Sequence, residues 1–83
     1  MSLLDLHEGQ QGILDRLELP EEAARRLMEL GFLPGSTVVA AKFAPGGDPR
    51  VFRVDGAEIA LRSATAACLK LRVPAPAAPE RAA

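Results

Sequence analysis

The chain has 83 residues, with 10 Lys and Arg against 11 Asp and Glu and a formal net charge of −1. That length admits one domain at most, and the near-neutral balance offers no dense basic block to attract a phosphate backbone, so polynucleotide partners are disfavoured. The single cysteine, Cys68, excludes an internal disulfide and suits a reducing compartment.

The start, Met1-Ser2-Leu3-Leu4-Asp5, has neither a basic nor an apolar signal region, and no apolar run reaches the roughly 18 residues of a membrane span. A soluble, cytoplasmic chain is expected. Gln11–Leu17 shows a mediocre alternation, with Gln11, Ile13, Asp15 and Leu17 on one face and Gly12, Leu14 and Arg16 on the other, and reads as a strand. A helix is predicted over 20–30. Pro20 suits its first turn, Glu21 and Glu22 favour the positive dipole end, and Glu21/Arg25 and Glu22/Arg26 are i, i+4 pairs. Ala23, Leu27 and Leu30 mark a core-facing stripe.

Gly31 then stands where a glycine closes a helix in the left-handed conformation, which makes Leu27 and Phe32 the apolar pair of a Schellman motif. Leu33-Pro34-Gly35-Ser36 follows with Pro and Gly placed for a type II turn. Thr37–Phe43 is the strongest strand, and Ala44-Pro45-Gly46-Gly47-Asp48-Pro49 is a loop. Val51-Phe52-Arg53-Val54 and Glu58-Ile59-Ala60-Leu61-Arg62 flank Asp55-Gly56, a pair suited to the type I′ turn of a hairpin. Residues 63–67 predict one helical turn capped by Ser63. The final strand, 68–73, turns Leu69, Leu71 and Val73 inward. Residues 74–83, almost all Pro, Ala and charge, are expected to be a disordered tail. Five short strands with little helix, in a chain too small for two cores, are best buried by curling one sheet closed. The expected fold is mainly β, a small SH3-like barrel over 1–73 with one helix inserted between its first two strands. Gly31, Gly35, Gly47 and Gly56 are its structural turns.

Four runs carry a resemblance: Leu3-x-Asp5-Leu6-x-x-Gly9, Arg26-Leu27-x-x-Leu30-Gly31-x-x-Pro34-Gly35, Ala44-Pro45-x-Gly47-Asp48-Pro49, and Leu61-Arg62 leading to Ala66-Ala67-x-Leu69-x-Leu71. In register over about residues 2 to 73, they resemble the FeoA family. Gly46, where the family usually has a bulky apolar residue, and Ala64-Thr65, where it usually has charge, depart from the pattern. The resemblance implies an SH3-like barrel in the bacterial cytosol. It also implies an accessory role in ferrous iron uptake through the membrane permease FeoB, whose cytoplasmic part is a GTPase. Similar domains accompany iron-dependent repressors, so the alternative is a metal-responsive regulatory or dimerisation domain. This chain holds no helix-turn-helix segment.

The chemical inventory is poor. His7, the sole histidine, has no spacing that ties it to Ser36, Ser63 or Cys68, and Cys68 sits among apolar strand residues. No catalytic residue, metal site or cofactor is expected. Gly46-Gly47 lacks the Lys-Ser/Thr of a phosphate loop. Three Phe with no Tyr or Trp make a poor stacking face for RNA. What stands out is apolar area at the helix exit. Ala24, Met28, Phe32 and Leu33 widen the stripe beyond what a small barrel needs. Met28, Phe32, Leu33 and Pro34 are expected to stay open, with Leu27 at the helix end, Arg25 and Arg26 on the rim, and Pro45 and Pro49 in the central loop. These are the expected partner-binding residues of a non-enzymatic module at the inner face of the membrane. Weak self-association is left open.

Overall fold

The computed structural model describes residues 1–72. The expected tail, 74–83, and the inward position of Val73 lie outside them. β1 (Gln11–Leu17), β2 (Thr37–Phe43), β3 (Arg50–Val54), β4 (Ala57–Leu61) and β5 (Leu69–Leu71) form one antiparallel sheet in the order β4-β3-β2-β1-β5. α1 (Glu21–Glu29) is inserted between β1 and β2, and the single turn α2 (Ser63–Ala66) joins β4 to β5. All five strands feed one core. Leu14, Val38, Ala40, Phe52, Val54, Leu61, Leu69 and Leu71 come from the strands, and Leu3, Leu6, Phe32 and Ala66 from the connections. The result is the SH3-like barrel expected from the strand count.

Its seam is crossed differently from the expectation of a fully closed sheet. Among the described residues no ladder joins β4 to β5; α2 spans the gap and buries Ala66. β5 is covered on its outer edge by the N-terminal segment, through a Ser2/Lys70 bridge and a Leu71 N–H donated to the Met1 carbonyl at 2.9 Å. Among the described residues, no strand pairs with the outer edge of β4.

Two bulges reset the inward faces of the sheet, and the one in β1 explains its weak alternation. The β1/β5 register shifts between Leu14 and Arg16, so Asp15 is an extra residue that inverts the parity of the strand. Leu14 and Leu17, on opposite faces by strict counting, therefore both pack on the core. β2 does the same between Ala40 and Lys42, which brings Phe43 back over the core after Val38 and Ala40. The β3/β4 hairpin turns as read: Asp55 and Gly56 have φ of 52° and 80°, the left-handed pair of a type I′ turn.

Three local readings need correction. Ser63 does not cap α2: Arg62 is the N-cap, and the Ser63 backbone N–H donates instead to Asp48 Oδ1 at 2.9 Å, a cap supplied from the central loop. Pro20 lies just outside α1 as its N-cap, because the helical dihedrals begin at Glu21. The stripe of α1 is not core, since the helix has no buried residue. Leu30 at its C-cap is 46% exposed, and Leu27 alone of the stripe packs against the core cluster.

Candidate functional site

The helix exit is built by local rules. The Gly31 N–H donates to the Met28 carbonyl at 3.0 Å and the Phe32 N–H to the Leu27 carbonyl at 3.1 Å, the two bonds of a Schellman motif. Gly31 has φ of 115°, and a Cβ there would meet Asp55 Cβ at 3.3 Å, so both the backbone and the neighbouring hairpin require glycine. The Ser36 N–H then donates to the Leu33 carbonyl at 2.9 Å with Gly35 at φ of 93°, the type II turn. Mutual bonds of Gly35 and Ser36 with Leu14 fasten this turn to β1.

The geometry sorts the expected contact residues. Phe32 is fully buried, contrary to its expected place on an open ledge, because the C″ position folds the chain back over the helix end and drives the ring into the core. It supports the surface from beneath. Leu33 is 48% exposed, Pro34 is exposed and Met28 is half-buried. Arg25 and Arg26 are exposed; Arg25 lies 3.9 Å from Glu21, one of the two helix pairs expected. Two hollows flank this exit. One, of about 350 Å³, is lined by Gly31, Leu33, Ser36, Thr37 and Asp55. The other, of about 310 Å³, is an apolar trough between α1 and β4, with Leu19, Ala23, Leu27, Ala60 and Leu61 along it and Arg26 and Arg62 at its sides.

The central loop is held by distant residues. Arg50 donates from Nε to the Gly47 carbonyl and from Nη1 to the Leu4 carbonyl, each at 3.1 Å, and its guanidinium lies 4.5 Å from the centre of the Phe43 ring. Asp48 caps α2, and Glu8 accepts the Phe43 N–H at 2.7 Å. Pro45 and Pro49 are left exposed on the loop, and the Asp48–Pro49 peptide is cis. Pro49 shares a hollow of about 350 Å³ with Asp48 and Arg62. Arg62 therefore lines both this hollow and the trough beside α1, linking two expected patches that are far apart in sequence. Sequence reasoning passed over it, since a cation ending a strand carries no signal of what lies across from it.

The remaining candidates stay apart. His7 is exposed in the entry segment; Cys68 is half-buried, with Sγ 3.5 Å from the Ala64 carbonyl. Among the described residues, three or more His, Cys, Asp or Glu side chains nowhere converge as a metal cage would require. No helix among them is long and apolar enough to cross a membrane. On the hairpin, the Arg53 guanidinium bonded to Glu58 at 2.7 Å holds that carboxyl below the usual carboxylate range.

Comparison with known proteins gives a consistent picture. A curated relative is the Fe(2+) transport protein A/Fe(2+) transporter FeoB fusion protein of Porphyromonas gingivalis, 32% identical over 73 residues, which are 88% of this chain and 9% of that protein. The chain thus spans a small fraction of that relative's length. Among solved structures, FeoA of Chlorobium tepidum is 28% identical, with 86% of this chain and 68% of that one covered at a TM-score of 0.81. The zinc-complexed FeoA of Stenotrophomonas maltophilia, described as a prokaryotic SH3 domain protein, is 30% identical over 87% of this chain and 89% of that one, with a TM-score of 0.75. The FeoA domain model matches residues 1–73, the whole barrel with its inserted helix, and the chain belongs to the FeoA domain family, which is associated with ferrous iron transport.

Proposed function

We propose that this chain is a non-catalytic accessory module of bacterial ferrous iron uptake that binds the cytoplasmic, GTPase-containing part of a FeoB permease and modulates transport. The observation that carries this reading is the fused relative, in which a segment similar to this chain and an Fe(2+) transporter share one polypeptide. Covalent linkage holds two modules at high effective concentration, which is useful where they act together. The exposed apolar side chains Leu33 and Pro34 support docking at the helix exit, and the proposed contact surface includes Arg25, Arg26, Leu27, Met28, Pro45 and Pro49 as well. Binding changes transport only if the module prefers one state of the permease, because equal affinity for two states shifts neither.

Leu33→Asp tests the surface without disturbing the core, since the side chain is half in solvent. The expected result is an unchanged melting curve and an affinity for the purified cytoplasmic part of the permease lowered at least about tenfold. Leu27→Gln should remove binding as well, but it places an amide against the core and must be read beside its folding curve. Full affinity and normal iron uptake in Leu33→Asp would put the docking surface elsewhere.

A further inference from the structure

We infer that the outer edge of β4, together with the trough between β4 and α1, is a strand-addition site for an extended segment that carries an apolar side chain flanked by carboxylates. This specifies the chemistry of what docks, and it rests on the docking reading above. Three independent features converge on it.

The first is the backbone. With Asp55-Gly56 as a two-residue turn, Val54/Ala57, Phe52/Ile59 and Arg50/Leu61 are the hydrogen-bonded pairs of the hairpin, whereas Arg53/Glu58 and Val51/Ala60 are not. The N–H and C=O groups of Glu58 and Ala60 therefore point away from β3, and among the described residues no backbone partner meets them. The opposite edge of the sheet is covered by Met1 and Ser2, so the exposure of β4 is particular to this side. The second is shape. Ala60 is exposed and small on this edge, and the apolar wall of Leu19, Ala23 and Leu27 stands across the trough. An added strand would turn alternate side chains toward that wall.

The third is charge. Arg26 and Arg62 border the trough, both exposed, and neither lies within 4.0 Å of a carboxylate among the described residues, although Arg16, Arg25, Arg53, Lys70 and Arg72 all do. Asp48, which lines the second hollow with Arg62, already accepts the Ser63 N–H. Two unpaired guanidiniums beside an apolar trough select acids around an apolar residue, and they disfavour a basic segment by like-charge repulsion.

The test uses the full chain, isotope-labelled, titrated with the blocked peptide Asp-Val-Leu-Val-Glu and with the same peptide carrying Lys in place of both acids. The acidic peptide should slow amide exchange at Glu58 and Ala60 and shift the resonances of Leu19, Leu27 and Arg62, with affinity falling as salt is raised. The lysine peptide should not bind. Ala60→Pro, which removes an outward N–H at an edge where proline is tolerated, should abolish binding while leaving the melting curve in place. Arg26→Glu with Arg62→Glu should weaken binding about tenfold. Absence of peptide binding, or binding indifferent to Ala60→Pro, overturns the inference. So does protection of the Ala60 amide in the free protein, which would assign the edge to the chain's own residues 74–83 when independent of concentration, or to a second copy when it rises with concentration. Titrating the permease's cytoplasmic part against the same variants separates the two readings. If that part binds but the peptide does not, strand addition fails alone; if the peptide binds but that part does not, the permease reading fails alone.

Discussion

The helix exit and the central loop are both surface features built on glycine and proline, yet they hold their shape by opposite means. The exit is built mostly from its own residues: Leu27, Met28, Gly31, Phe32, Leu33 and Ser36 satisfy one another within ten residues through the Schellman bonds and the type II turn, and Gly35 and Ser36 add bonds to Leu14 of β1. The loop at 44–49 is braced from outside, by Arg50 reaching back to Leu4, by Glu8 on Phe43 and by Asp48 bonding across to Ser63. A turn satisfied mainly by near neighbours depends less on the rest of the barrel for its geometry. A braced loop has that geometry only in the finished barrel.

Mutations can break each side of this contrast. The largest effect is expected at Phe32, the point where the local exit motif plugs into the shared core. Phe32→Ala removes a fully buried ring and should cost about 3–5 kcal/mol, enough to leave so small a domain largely unfolded in a thermal melt. Gly31→Ala should cost about 1–2 kcal/mol by urea denaturation, because it forces a Cβ into a left-handed backbone and against Asp55. Removing the Asp55 side chain should recover only part of that loss, because the left-handed backbone strain remains.

Loss of the tertiary cap is expected to be smaller. Asp48→Ala should cost about 1 kcal/mol and raise amide exchange in α2, whereas Ser63→Ala should change little, since that hydroxyl makes only a 3.4 Å contact with the Gly47 carbonyl. Equal effects of the two substitutions would mean that α2 is capped locally after all. The smallest effect is expected in the exposed hairpin. The hydrogen bond and charge of Arg53 lower the folded-state pKa of Glu58, so the pair's contribution is complete above the ordinary carboxylate range. It disappears as pH falls through the lowered value. An NMR titration should place Glu58 below an unpaired glutamate, and Arg53→Met should return it to the ordinary range.

The same contrast decides what was legible. Gly31, the Leu33–Ser36 turn and Asp55-Gly56 were readable because positive φ and tight turns restrict residue choice within a few positions. The capping box at the N-terminus was equally local, with Ser2 Oγ accepting the Leu4 N–H and Asp5 accepting the Ser2 N–H, and the Ser2-x-x-Asp5 spacing signals it. The segment reads as lacking a signal region and as one run of the family resemblance, and neither reading marks the capping box or assigns Leu3 and Leu6 to the core. Phe32 was misplaced for a different reason. An apolar residue at C″ looks the same in sequence whether it widens a ledge or fills a core.

The amino-acid sequence by itself determined the order of strands, the helix and its glycine stop, the hairpin turn and the family resemblance. The first three rest on backbone dihedrals or on periodicity, which act between residues close along the chain, and the resemblance rests on motifs matched in register. Only the tertiary structure decided which edge of the sheet lacks a partner strand among the described residues, that Arg62 and Arg26 border one trough, that Asp48 caps α2 and that two bulges reset the inward faces of β1 and β2. Those outcomes depend on pairing register and on side chains many residues apart. Their energies exist only once the sheet has curled and brought the partners within reach.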